Sequence, residues 1–302
     1  MFGGAPLINS VYHSLALRGV GIDSDTVVWQ RSKTWITSDT EWDAVFVPST
    51  QDQPRWRRWY LNRLADYIAF TKLVWDKDVF FYYFDASFFY LGRRRILRWL
   101  EVPILKLLGK RVVATPFGQD VVTASDIPDL VRKYVNVRQN RYISTNETLI
   151  HKQIRHFTRW ADAIIGGLAI GPDHLPRIDY LCPSFFAIDE QKWPAQYGPP
   201  RSRGELLRVL HAPNHRHIKG TQFLIDAVEQ LQREGLKVEL VLMEGMPNSE
   251  VKRRMADCHV LTEQFIQGWY GLNGLEGMAS GKPVLAYLKP ELQRLFSLYS
   301  FG

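Results

Sequence analysis

The last third of the chain opens on His211-Ala-Pro-Asn-His215-Arg216-His217-Ile-Lys219-Gly220. It runs on to Gly271-Leu272-Asn273-Gly274-Leu-Glu276-Gly-Met-Ala-Ser-Gly281-Lys-Pro-Val284. The first run follows an apolar strand expected at 206–211 and leads into a helical pattern over 219–235. It therefore sets Arg216 and Lys219 three residues apart, with Gly220, at a strand–helix junction. The second run places glycines at the start of a helix over 272–280 that carries a buried-looking acid, Glu276. Two fixed cations suit a diphosphate, and an open helix start adds aligned N–H groups and a partial positive charge. A helix start disfavours cations unless an anion offsets them, so the placement itself argues for phosphate.

Working outward, strands are expected at 238–242, at 260 and at 283–287, with a helix over 248–257. Upstream, the pattern gives helices over 7–19, 55–74, 93–108, 128–137 and 145–160. Strands are expected between them at 26–30, 44–47, 79–84, 111–115, 163–165 and 180–182. Strand alternating with helix at this spacing is the mark of βαβ units and a mostly parallel sheet. The Pro- and Gly-rich run Trp193-Pro-Ala-Gln-Tyr-Gly-Pro-Pro-Arg-Ser-Arg-Gly204 reads as a linker. The expected organisation is an α/β domain over 1–190, a linker over 191–203 and a second α/β domain over 204–302. Open parallel sheets bind ligands beyond the carboxyl ends of their strands.

The two quoted runs together resemble the donor half of retaining GT-B glycosyltransferases of family 4. Members share an Arg-x-x-Lys-Gly phosphate loop and a Glu-bearing helix followed by Met-Ala-x-Gly-Lys-Pro-Val. The resemblance is strongest over 206–287 and diffuse over the first domain. It implies two Rossmann-like domains facing a cleft, the first for an acceptor and the second for a nucleotide-sugar donor. It also implies a hexosyltransferase-type transfer from a nucleoside-diphosphate sugar to a glycan or lipid-linked acceptor, with retention and without a cofactor or an obligatory metal. Donor contacts would come from Arg216, Lys219, Gly220, Trp269, Tyr270, Gly271, Leu272, Asn273 and Glu276. Glu276 would bond the ribose hydroxyls, while Arg216 and Lys219 neutralise the departing diphosphate. Family members carry another Glu eight positions before this one; here that position is Gly268, which leaves Trp269 or Tyr270 to line the pocket.

In the first domain, Pro116-Phe117-Gly118-Gln119-Asp120 follows the strand expected at 111–115. It resembles the Gly-x-Asp loop of many relatives. Asp120 either positions or deprotonates an acceptor hydroxyl, or builds a tight turn with Gly118. Gly3 and Gly4 read either as an acceptor-side loop in which glycine permits close approach or as a plain turn. Phe2-Gly3-Gly4 reads as the loop that should follow an apolar opening strand, and the far end stops about one helix after 283–287. Both edges read as those of a fragment.

At 302 residues and 46% hydrophobic, the chain has material for two cores, and it lacks the composition of a disordered protein. It carries no apolar run of roughly 20 residues and no secretion signal. With only Cys182 and Cys258, a reducing cytoplasm is the expected home. The formal charge is +7. Basic and aromatic residues mix in Arg55-Trp-Arg-Arg-Trp-Tyr60 and Arg93-Arg-Arg-Ile-Leu-Arg98-Trp99. These runs are either solvated faces of packed helices or an attachment to the anionic inner face of a membrane. No nucleic-acid recognition motif accompanies the charge. His211, His215 and His217 lack a nearby Cys, Asp or Glu to complete a zinc site, and the cations beside them oppose one, so no metal is expected. Neither a Gly-x-Gly-x-x-Gly nor a Gly-x-Ser-x-Gly motif is present, which argues against an oxidoreductase and a hydrolase. An epimerase of the same fold and a membrane-surface binding module stay open as alternatives.

Overall fold

The apolar strand runs of the chain assemble into two parallel sheets. The computed structural model describes residues 1–3, 8–28, 42–45, 68, 71–87, 98–118, 120–168, 170–182, 186–197, 202 and 204–298. Two compact units emerge. One is Met1–Thr123 with Asn146–Phe185, and the other is Ala124–Thr145 with Phe186–Gly302.

The first unit contains β1 (Phe2–Gly3), β2 (Thr26–Val28), β3 (Ala44–Val45), β4 (Val79–Tyr83), β5 (Arg111–Thr115), β6 (Ala163–Gly167) and β7 (Tyr180–Cys182). Their order is β3-β2-β1-β4-β5-β6-β7, with every pairing parallel. β4 and β5 form its centre because Phe80, Tyr82, Val112 and Ala114 are almost wholly buried, as expected for strands covered on both faces. Helix α1 (Ile8–Gly19) packs on β1 and β2, and α2 (Arg98–Leu107) packs on β5.

One expectation is overturned here. Phe2-Gly3 is a strand at the heart of the sheet, not a loop. Phe2 N donates to Asp25 O at 2.9 Å and Phe81 N to Met1 O at 2.8 Å. Pairing from a strand on each side makes two residues sufficient, and Gly3 sits opposite Val27 in that ladder. Gly4 and the basic stretches 55–60 and 93–97 lie outside the described residues.

Helices α3 (Leu130–Gln139) and α4 (Arg141–Trp160) follow. Asp129 caps α3 by accepting from Arg132 N at 2.6 Å. The segment Ala124–Thr145, read from the sequence as part of the first domain, groups with the second unit. The division falls where α4 is kinked, at Asn146 with φ −120° and ψ 15°. A short turn of helix, α5 (Gly171–His174), precedes β7.

The second unit is wound around β8 (Leu207–His211), β9 (Val238–Leu242), β10 (Val260–Thr262) and β11 (Val284–Leu285), in the parallel order β11-β10-β8-β9. Its helices are α6 (Arg216–Lys219), α7 (Thr221–Arg233), α8 (Asn248–Asp257), α9 (Leu272–Ala279) and α10 (Pro290–Leu298). Neighbouring residues of β8 point to opposite faces. Val209 joins Leu224 and Val228 of α7, whereas Leu210 joins Val251 and Met255 of α8. That alternation is why the two helices lie on opposite sides of the sheet. The helix expected from 219 instead starts at Thr221, because Gly220 takes a left-handed conformation (φ 72°) that separates it from α6.

Candidate functional site

From β8 the chain moves outward to β9, then crosses back to β10 on the other side of β8. The strand order therefore reverses between β8 and β10, the position where open α/β sheets bind ligands. His211 ends β8 opposite Thr262, which ends β10. The His211 ring is fully buried, with Nδ1 3.0 Å from Thr262 O and Nε2 2.9 Å from Thr221 Oγ1. A carbonyl can only accept, so Nδ1 carries the proton and Nε2 accepts from the threonine hydroxyl. Burial holds this imidazole below its usual pKa, and the neutral ring joins β8, β10 and α7. Both of its nitrogens are thereby engaged, while His215 and His217 stand exposed on α6.

The loops after β8 and β10 bring Lys219, Glu263 and Gly271 together. Lys219 Nζ donates to Glu263 Oε1. The Glu263 side chain is only 2% exposed, and its Oε2 is buried with no hydrogen-bond partner. A Cβ added to Gly271 would lie 3.1 Å from Glu263 Oε1 and 3.4 Å from Lys219 Nζ, so the ion pair lies against this residue. Gly271 is the N-cap of α9 and supplies no side-chain cap. The first-turn amides of that helix, including those of Leu272 and Asn273, and the positive end of its dipole thus lie beside the Lys219 ammonium. Arg216 is paired separately, its Nη1 3.2 Å from Glu244 Oε2.

The remaining donor-side candidates lie on the loop before α9 and on α9 itself. Trp269 is buried and stacks on Tyr270 with ring centroids 4.4 Å apart. Gln264 Nε2 donates to Trp269 O and pins the loop. Gln267 Oε1 accepts from Arg132 Nε at 3.2 Å and Asn136 Nδ2 at 3.3 Å, which ties α3 to the same loop. Gly268 has φ +78°, and a Cβ there would stand 2.3 Å from Lys289 Cγ. Any side chain at this position is therefore strained. Glu276 is buried on α9, with Asn248 as a hydrogen-bonding partner, and burial pushes its carboxyl up to about 8.

In the first unit Asp120 is fully buried and accepts from Gly118 N at 2.9 Å, Phe117 N at 3.1 Å and Phe84 N at 3.2 Å. Burial and the nearby Asp85 charge raise its pKa. These three amide bonds make Asp120 the anchor of the turn after β5. Gly118, at φ 147°, completes that turn. Sequence reasoning passed over Asp85, which follows β4 beside the reversal between β1 and β4. Its Oδ1 is buried without a partner, and burial raises its carboxyl to about 6 against the opposing Arg98 charge. Glu263 and Glu244 were passed over as well. The available signal for Asp85 and Glu263 was an acid placed just past the carboxyl end of a central strand.

No family model and no curated protein sequence matches the chain. Among solved structures it resembles an α-glucosyltransferase in complex with UDP-glucose and DNA containing an abasic site. The identity is 13% and the TM-score 0.52, over 94% of this chain and 78% of that one. It also resembles sucrose-phosphate synthase from Thermosynechococcus elongatus, at 13% identity and a TM-score of 0.49, over 90% of this chain and 73% of that one. The likeness to the α-glucosyltransferase is one of fold, and the two parallel α/β sheets of this chain are those of the GT-B fold. Among the described residues no helix is long and apolar enough to cross a membrane.

Proposed function

We propose that the chain is a retaining glycosyltransferase that takes a sugar from a nucleoside-diphosphate sugar and passes it to a glycan or lipid-linked hydroxyl. The observation that carries this reading is the seat of Lys219 against Gly271, where strand order reverses and α9 begins uncapped. An ammonium has three donors. One stays on Glu263 and two are left for oxygens of the diphosphate. Arg216 exchanges its exposed pairing with Glu244, worth about 0–1 kcal/mol, for stronger charge-assisted contacts to phosphate. Charge developing on the departing diphosphate is then met by two cations and the α9 amides, without an obligatory metal.

In this reading Glu276 accepts from the ribose hydroxyls, and Trp269 and Tyr270 line the donor pocket. Among the described residues of the first unit, Asp85 is the acid with a buried, unpartnered oxygen, and in this reading it positions the acceptor hydroxyl, while Asp120 holds the neighbouring loop. The chain works in the cytoplasm, at the inner face of a membrane when its acceptor is lipid-linked.

Calorimetric titration with UDP, GDP and ADP and with their glucose conjugates tests the reading. Arg216→Ala and Lys219→Ala should each weaken binding roughly 10- to 100-fold, the range of a lost charge-assisted contact. Unchanged affinity in both variants ends it.

A further inference from the structure

Glu263 is placed to do more than hold Lys219. Its side chain is 2% exposed, Oε1 takes the Lys219 ammonium, and Oε2 is buried without a partner. A carboxylate left half satisfied in the interior is costly, and native folds keep few such groups without a reason. The surrounding chain is shaped to admit it. A Cβ at Gly274 would come within 3.3 Å of Glu263 Cγ, just as one at Gly271 would crowd Oε1. Two glycines of one helix start therefore make room for this acid.

The chemistry of the place is mixed. The uncapped start of α9 and the Lys219 ammonium attract an anion. Glu263 repels one, and suits a neutral group that donates hydrogen bonds. A ligand that satisfies both carries a phosphate and, next to it, a hydroxyl. A glycosyl group esterified to phosphate has that pattern.

We infer that Glu263 Oε2 accepts a hydrogen bond from a hydroxyl of the donor sugar and so determines which sugar the site accepts. This rests on the donor-site reading above. Glu263 is at once a positioning residue for Lys219 and the reader of the sugar. Sites built to bond a hydroxyl discriminate strongly against analogues that lack it, because the buried acceptor is then left unpaired.

The test uses the full chain and calorimetry. The nucleotide is whichever of UDP, GDP and ADP binds wild type best, both alone and as its glucose conjugate. Glu263→Gln should cut the preference for the conjugate over the bare diphosphate about 10-fold, whatever the loss of the Lys219 pairing does to both ligands alike. An equal change for both ligands, or none for either, overturns the inference. A second arm needs no variant. Conjugates of 2-, 3-, 4- and 6-deoxyglucose are compared on wild type, and one should bind about 10-fold more weakly than the parent. If all four bind like the parent, Glu263 reads no hydroxyl. If wild type binds no diphosphate, the donor-site reading itself fails and this inference with it.

Discussion

Arg216 Nη1 and Glu244 Oε2 stand 3.2 Å apart, with both side chains around two-fifths exposed. The acid competes with any phosphate for the same guanidinium. An exposed pair of this kind is worth about 0.2–1 kcal/mol, so freeing Arg216 by Glu244→Gln should tighten UDP binding by up to about 5-fold. Titration at low and physiological salt measures it, and the gain should shrink as salt screens the pair. Weaker binding in the variant would mean that Glu244 orients Arg216 instead of competing for it.

Glu276 gives the second unit a pH dependence of defined sign. Its carboxyl titrates near 4.5 when free and about 8 in the fold, because burial outweighs the help of Asn248 and Lys252. A raised folded pKa means that stability is complete below 4.5. Above it the unfolded chain ionises while the folded group stays protonated, so stability falls as pH rises toward 8, by at most about 1.4 kcal/mol per unit. Glu276→Gln should therefore gain on wild type progressively between pH 5 and 8 in urea denaturation. A constant difference across that range rejects the shift. Bound ribose hydroxyls would favour the carboxylate, so nucleotide uptake by wild type should release protons, and this release should vanish in Glu276→Gln.

Gly268 is fixed by conformation and by space. At φ +78° any L residue is strained, and its Cβ would meet Lys289 Cγ at 2.3 Å. Gly268→Ala should destabilise the second unit by about 1–2 kcal/mol. Lys289→Ala in the same chain removes the clash but not the strain, so it should restore only part of the loss. Full recovery would show that space alone selects glycine.

Much of this architecture is written in local patterns. Apolar runs at 79–83, 111–115 and 207–211 mark the central strands, and the Arg216–Gly220 run marks the junction between β8 and α7. What stays hidden depends on partners distant in the chain. Phe2–Gly3 is too short to show any period and is a strand only because β2 and β4 flank it. Ala124–Thr145 carries no signal of its own that assigns it to the second unit, and its tie to Gln267 spans more than 130 residues. Glu244 and Glu263 are lone acids in the sequence. They acquire meaning only from Arg216 and Lys219, which lie 28 and 44 residues away. Asp120 was legible as a loop acid, but the amides it gathers, one of them 36 residues away, were not.

That anchoring can be tested directly. Asp120 gathers three backbone amides, from Phe84, Phe117 and Gly118, and so fastens the loop after β5 to the end of β4. Asparagine keeps the shape but presents one carbonyl oxygen to three donors, and turns its own N–H₂ toward at least one of them. Asp120→Asn should lower the stability of the first unit by on the order of 2–4 kcal/mol. Denaturation followed by far-UV circular dichroism, with tryptophan fluorescence as a second probe, would show the first unit unfolding earlier. UDP affinity, which the proposed donor site in the second unit would carry, should stay within about twofold. An acid that worked on substrate instead would show the reverse, with unfolding unmoved and turnover lost.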